Sequence, residues 1–128
     1  MDELVRQARE ATESAYAPYS NYEVGAALRT ADGEVYTGCN IEVANFSNTM
    51  HAEEVALAHA VSEGHREFDA LAFSSETGAQ PSGTSRQSLS EFCDPDLVVL
   101  VDHSSKDRVY EYRLADWYPD PSDGSGDE

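Results

Sequence analysis

Residues 51–64 read HAEEVALAHAVSEG. Apolar positions fall on most sides of a helix drawn through this stretch, which predicts a helix buried by its neighbours rather than one lying on a surface. Asn48 or Thr49 is placed to cap its start, and Gly64 suits its end. On the N-terminal side, YEVGAALRT (22–30) and EVYTGCN (34–40) read as strands joined by ADG (31–33), a hairpin signal. On the C-terminal side, DALAFSS (69–75) reads as a short strand, SGTSRQSLSEF (82–92) as a helix carrying Leu89 and Phe92 on one side, and DLVVLVD (96–102) as a strand covered on both faces. RVYEYRL (108–114) adds a further strand and LADWY a short last helix. At the other end, Leu4, Ala8, Ala11 and Ala15 make an amphipathic helix of Asp2 to Ala15, and APYSN (17–21) breaks it. The order α-β-β-α-β-α-β-β-α predicts an α/β chain whose sheet is covered by helices on both faces. Both middle helices begin with polar groups. If the strands leading into them are neighbours, the two helix starts meet at one end of the sheet, where sites in such folds form.

Bulk properties bound the function classes. A chain of 128 residues holds one modest core. Asp and Glu total 25 against 8 basic residues, for a net charge of -17, and Lys106 is the only lysine. Such a field repels nucleic acid and anionic membrane. Four acids lie in the last nine residues; the rest are spread along the chain, the pattern expected of a salt-adapted protein whose repulsion is screened over about 3 Å at 1 M salt. No apolar run is long enough for a membrane span, and MDELVRQARE lacks the apolar stretch of a signal peptide, so a cytoplasmic location is expected. Two cysteines, Cys39 and Cys93, are too few for a disulfide framework. Free thiols are expected, with a single bridge between them as the alternative.

The polar helix starts carry the chemistry. Alone, Ser82 is an N-cap whose hydroxyl accepts from the amide near Ser85, His51 a helix-start histidine, and Glu53 a first-turn acid favoured by the helix dipole. Together, HAE followed some thirty residues later by PSGTSRQ resembles the H-x-E and P-C-x-x-C signature of zinc-dependent deaminases. With AYAPYSNYEVGAAL, DGEVYTGCNIE and SRQSLSEF, the match from about Ala15 to Leu114 resembles the short, nucleoside-acting cytidine deaminases.

That resemblance implies a three-layer α-β-α sandwich around a mixed five-stranded sheet, here as a single domain over 1–118; 119–128, rich in Pro, Gly and acid and outside the match, is expected to be a disordered tail. It implies His51 as the first zinc ligand and Glu53 as the proton shuttle. Tyr22 matches the aromatic lining the nucleoside pocket, Asn40 and Glu42 the pair that binds the ribose hydroxyls, and Ala52 the residue whose carbonyl meets the base. Arg86 and Gln87 match the pair after the second thiolate. Val43 and Glu54 depart from the usual Asn and Arg. The sharpest departure is at the metal: Ser82 and Ser85 stand at both thiolate positions, and a neutral hydroxyl is a weak zinc ligand. The family reaction, hydrolytic deamination of cytidine or deoxycytidine to uridine or deoxyuridine and ammonia, is therefore expected to be impaired in this chain. A non-catalytic nucleoside-binding pseudoenzyme is the alternative. A metal-free hydrolysis through Glu53 is disfavoured because nothing would acidify the water, and nucleic-acid editing because the surface is acidic. The family also implies a homotetramer, with LADWYPD placing Trp117 or Tyr118 at a subunit contact.

Overall fold

The computed structural model describes residues 2–117. The expected acidic tail and Tyr118 lie outside the described residues. Eight main elements run in the expected order: α1 (Glu3–Ala11), β1 (Gly25–Thr30), β2 (Val35–Cys39), α2 (Ala52–Ser62), β3 (Phe68–Ser75), α3 (Gly83–Phe92), β4 (Val98–His103) and β5 (Arg108–Arg113). Short 3₁₀ turns follow α1 at Thr12–Ser14 and close the described chain at Leu114–Asp116, where the last helix was expected.

The five strands form one sheet in the order β2-β1-β3-β4-β5. Among these five strands β3 and β4 pair in parallel, Leu71 opposite Val99 and Phe73 opposite Val101. The remaining pairs are antiparallel, so the sheet is mixed. Period-two alternation sorts the side chains. Ala27, Ala70 and Ala72 face Leu4, Val5 and Ala8 of α1. Ala26, Leu28, Leu71, Phe73, Val99 and Val101 point the other way, into a larger core with Ala52, Ala56, Leu57 and Ala60 of α2 and Leu89 of α3. The result is the expected three-layer α-β-α sandwich.

Two features fix where the helices sit. Gly38 in β2 lies directly under α2: a Cβ there would run into the Ala56 nitrogen and lie 2.5 Å from the Ala52 carbonyl oxygen. The missing side chain lets the first turn of α2 approach the sheet closely. On the opposite face, Arg9 in the last turn of α1 donates Nε to Oδ2 of Asp102 at 2.6 Å and Nη2 to Oδ1 at 2.9 Å. Asp102 is fully buried in β4 and also accepts from Ser74 Oγ at 2.8 Å.

One expectation needs correction, and one condition is not met. The N-cap of α2 is His51, not Asn48 or Thr49: His51 has extended backbone, and its amide donates to Oε1 of Glu54 at 3.0 Å. The acid three residues into the helix makes this half of a capping box, which fixes the boundary. The strands leading into α2 and α3 are also not neighbours, because β1 inserts between β2 and β3. The helix starts meet nonetheless. Both thiols are free; Cys93 is buried and Cys39 partly exposed.

Candidate active site

Helix α3 begins as its sequence dictates. Ser82 is its N-cap, extended, with Oγ accepting from the Ser85 amide at 3.1 Å. The same Oγ donates to Ser85 Oγ at 2.7 Å. The Ser82 amide, one of the donors a helix start leaves unsatisfied, reaches across to α2 and donates to Oε2 of Glu53 at 3.0 Å. Glu53 is 3% exposed, and its Oε1 has no hydrogen-bond donor among the described residues. Two helix N-termini from opposite sides of β1 are thus joined by a buried carboxylate.

A cavity of about 370 Å³ opens here, lined by Tyr22, Asn40, Glu42, His51, Ala52, Glu53 and Ser82, with Ser20, Val24, Thr49, Ala79 and Gln80 completing its wall. Ser85 lies behind Ser82, 1% exposed. Arg86 turns away from the serine side chains: Nη1 donates to the Trp117 carbonyl at 2.7 Å and Nε to the Ser82 carbonyl at 3.4 Å. Gln87 is exposed and is not part of the cavity wall. The Trp117 indole folds onto its own chain, donating to Oε1 of Gln80 at 3.1 Å and lying against Tyr112 with ring centroids 4.8 Å apart and planes tilted by 50°.

At the far end of the cavity the polar groups are fixed by backbone. Asn40 Oδ1 accepts from the Val24 amide at 3.0 Å, and Nδ2 donates to the Tyr22 carbonyl at 2.8 Å. Glu42 Oε1 accepts from the amides of Tyr19 at 3.0 Å and Ser20 at 3.1 Å, and Oε2 accepts from the Ser20 hydroxyl. The Ser20 hydroxyl, ahead of the two amides, holds the Glu42 carboxyl below the usual carboxylate range against the opposing effect of burial. The Tyr22 hydroxyl donates to Ser75 Oγ at 3.0 Å and meets Thr77 Oγ1 at 2.6 Å, which fixes the ring against the end of β3. Buried, oriented acceptors at one end and a buried carboxylate with a free oxygen at the other suit a polar, neutral ligand. Sequence reasoning did not place Ser20, Val24, Thr49, Ala79 or Gln80 in the site, and Thr49 figured there only as a helix cap. Ser20 in APYSN reads locally as a turn residue, and its partner lies twenty-two residues away.

The α-β-α sandwich around a mixed five-stranded sheet matches solved cytidine deaminases. The enzyme from Burkholderia pseudomallei superposes with a TM-score of 0.87 at 40% identity, over 94% of this chain and 98% of that one. That from Mycobacterium tuberculosis superposes with a TM-score of 0.79 at 35% identity, over 91% and 92%. The cytidine deaminase of Sporosarcina psychrophila is 43% identical over 103 residues, 79% of this chain and 76% of its own length. The chain belongs to the cytidine and deoxycytidylate deaminase zinc-binding region family, whose model matches residues 1–101.

The residues here do not fit the zinc ion that the family description carries. The donor set available from His51, Ser82 and Ser85 is one imidazole and two neutral hydroxyls, and the hydroxyls are hydrogen-bonded to each other. Zinc sites draw on thiolate, imidazole and carboxylate. Among the described residues no group of three or more His, Cys, Asp or Glu is arranged to hold a metal. Cys93 lies in the core at the end of α3, and Cys39 closes β2.

Proposed function

We propose that this chain is a cytidine deaminase by descent that binds cytidine or deoxycytidine but is impaired in zinc binding and in hydrolytic deamination to uridine or deoxyuridine. The observation that carries the reading is Glu53: a buried carboxylate in the cavity wall, one oxygen tied to the Ser82 amide and the other free for a ligand. A carboxylate so placed can take a proton from one ligand atom and return it to another. Glu42 and Asn40, each held by backbone, retain unused hydrogen-bonding capacity for the hydroxyls of a sugar. Tyr22 and Ala52 both line the cavity, and by motif position Ala52 is read as the residue whose carbonyl meets the base. Arg86 anchors the start of α3 through carbonyls; Gln87 is assigned a supporting role by position alone.

Ser82 and Ser85 stand, by motif position, where the family uses thiolates, and the mutual hydrogen bond of the two hydroxyls supports reading them as a self-satisfied cap rather than as ligands. That same bond favours a second reading, a nucleoside-binding pseudoenzyme. One comparison separates them: zinc content and cytidine turnover of the chain against those of the double variant S82C/S85C. Recovery of both marks a disabled deaminase. Cytidine binding without recovery marks a binding protein, and absence of binding in both forms overturns the nucleoside reading. The reading extends to a single domain over 1–118, a homotetramer, a cytoplasmic location and a salt-adapted acidic surface. Its partner is a small pyrimidine nucleoside, not nucleic acid or membrane; among the described residues no helix is long and apolar enough to cross a membrane.

A further inference from the structure

We propose that Ser20 is the positioning residue of the sugar end of this pocket, its single hydroxyl setting both the Glu42 carboxylate and the distance from that carboxylate to the Tyr22 wall. The inference rests on the nucleoside reading above for its ligand, but not for its geometry. Ser20 Oγ donates to Oε2 of Glu42 and at the same time accepts from the Tyr22 amide at 3.1 Å. The hydroxyl is therefore used in both directions, as donor to one pocket residue and acceptor from the next. Asn21 between them takes the left-handed conformation at φ 58, which Asn tolerates.

Among the described residues, Ser20 supplies the side-chain donor to Glu42. Tyr19 and Ser20 supply Glu42 with two backbone donors, both on Oε1, so the Ser20 side chain alone governs Oε2. With Oε1 doubly engaged, the remaining lone pair on Oε2 is the acceptor left for a ligand hydroxyl. Asn40 anchors the same segment from the other side through Val24 and the Tyr22 carbonyl. Without the Ser20 hydroxyl, Oε2 loses its protein donor while the two amides still hold Oε1, and the Tyr22 amide loses its acceptor while its other backbone anchors remain.

Three forms of the full chain test this: the parent, Ser20→Ala and Ser20→Thr, each titrated with cytidine and with 2′,3′-dideoxycytidine, which lacks the ring hydroxyls. Ser20→Ala is expected to weaken cytidine about tenfold, the scale of one hydrogen bond to a charged group. It should leave the dideoxy compound within about twofold, and Ser20→Thr should restore cytidine affinity, because the hydroxyl is what matters. Equal losses for both compounds, no loss for cytidine, or no rescue by threonine would overturn the proposal. A ligand-free measurement keeps it separate from the nucleoside reading: the Glu42 carboxyl carbon followed by NMR against pH. Its titration should move upward in Ser20→Ala and return in Ser20→Thr. If the parent binds neither compound, the nucleoside reading fails, and this titration alone decides Ser20, an unmoved midpoint overturning the claim.

Discussion

The Ser82 amide and the Glu53 carboxylate share a hydrogen bond of 3.0 Å across the gap between α3 and α2. It makes the cap of one helix and the first turn of the other a single unit. A change at residue 82 therefore acts on Glu53 through the backbone as well as on the serine side chain.

The first prediction concerns the cap itself. Ser82 and Ser85 close the start of α3 with hydroxyl hydrogen bonds, and losing a serine N-cap costs about 0.5–2 kcal/mol. In the presence of a chelator S82C/S85C should unfold at lower urea than the parent, by about that amount. With zinc the order should reverse, because a metal that binds only the folded form stabilises it. Equal zinc stabilisation of the parent would contradict the assignment of a metal-poor site.

A second prediction follows from the ion pair on the opposite face. Asp102 is fully buried and takes two hydrogen bonds from Arg9 and one from Ser74. Breaking a buried pair by removing one partner costs about 3–5 kcal/mol. Arg9→Ala, which leaves the fully buried Asp102 carboxylate without its cation, should lower unfolding free energy by that order in urea titrations. A loss below about 1 kcal/mol, the range of exposed pairs, would mean that this contact is not formed as described.

The thiols should differ in reactivity. Burial, followed by the Asp94 charge, pushes the Cys93 thiol up from 9.0 to about 12, whereas Cys39 is raised by burial alone and is partly exposed. Native protein at pH 8 should alkylate at Cys39 well before Cys93, as read by peptide mass. The linkage has a definite sign. The folded form keeps the Cys93 proton to higher pH than the unfolded form, so this contribution is intact below 9.0 and declines as pH rises toward about 12. Cys93→Ala should remove that part of the alkaline decline.

The net charge of -17 makes a fourth prediction. Self-repulsion is screened as ionic strength rises from 0.1 M to 1 M and the Debye length falls from about 10 Å to about 3 Å. Thermal midpoints should climb over that range with potassium chloride. A flat or falling curve would remove the salt-adapted reading.

Much of this architecture is legible in the chain because it is local. The apolar runs through Ala26, Ala27 and Leu28, and again through Leu71, Ala72 and Phe73, suit strands covered on both faces, and the sheet buries them on both. Ser82 declares itself as a cap, and its bond to the Ser85 amide is the one expected. What sequence reasoning misses is relational. The neighbours of a strand are not written in the strand, so the place of β1 between β2 and β3 escapes it. Ser20 looks like punctuation in APYSN because Glu42, which gives it meaning, is reached only through folding. His51 displaces Asn48 and Thr49 as the cap because Glu54 satisfies its amide, a contact that competes with side-chain propensity.

The place of β1 also bears on how the protein is made. The closed β1–β2 hairpin with α2 already carries His51 and Glu53, but the partner of that carboxylate arrives only after β3 has docked along the far edge of β1 and α3 has turned back. A chain that stops after α2 has neither the Ser82 amide nor the wall supplied by Ala79 and Gln80. The pocket is thus a product of the whole central sheet, and a fragment that ends at α2 cannot complete it.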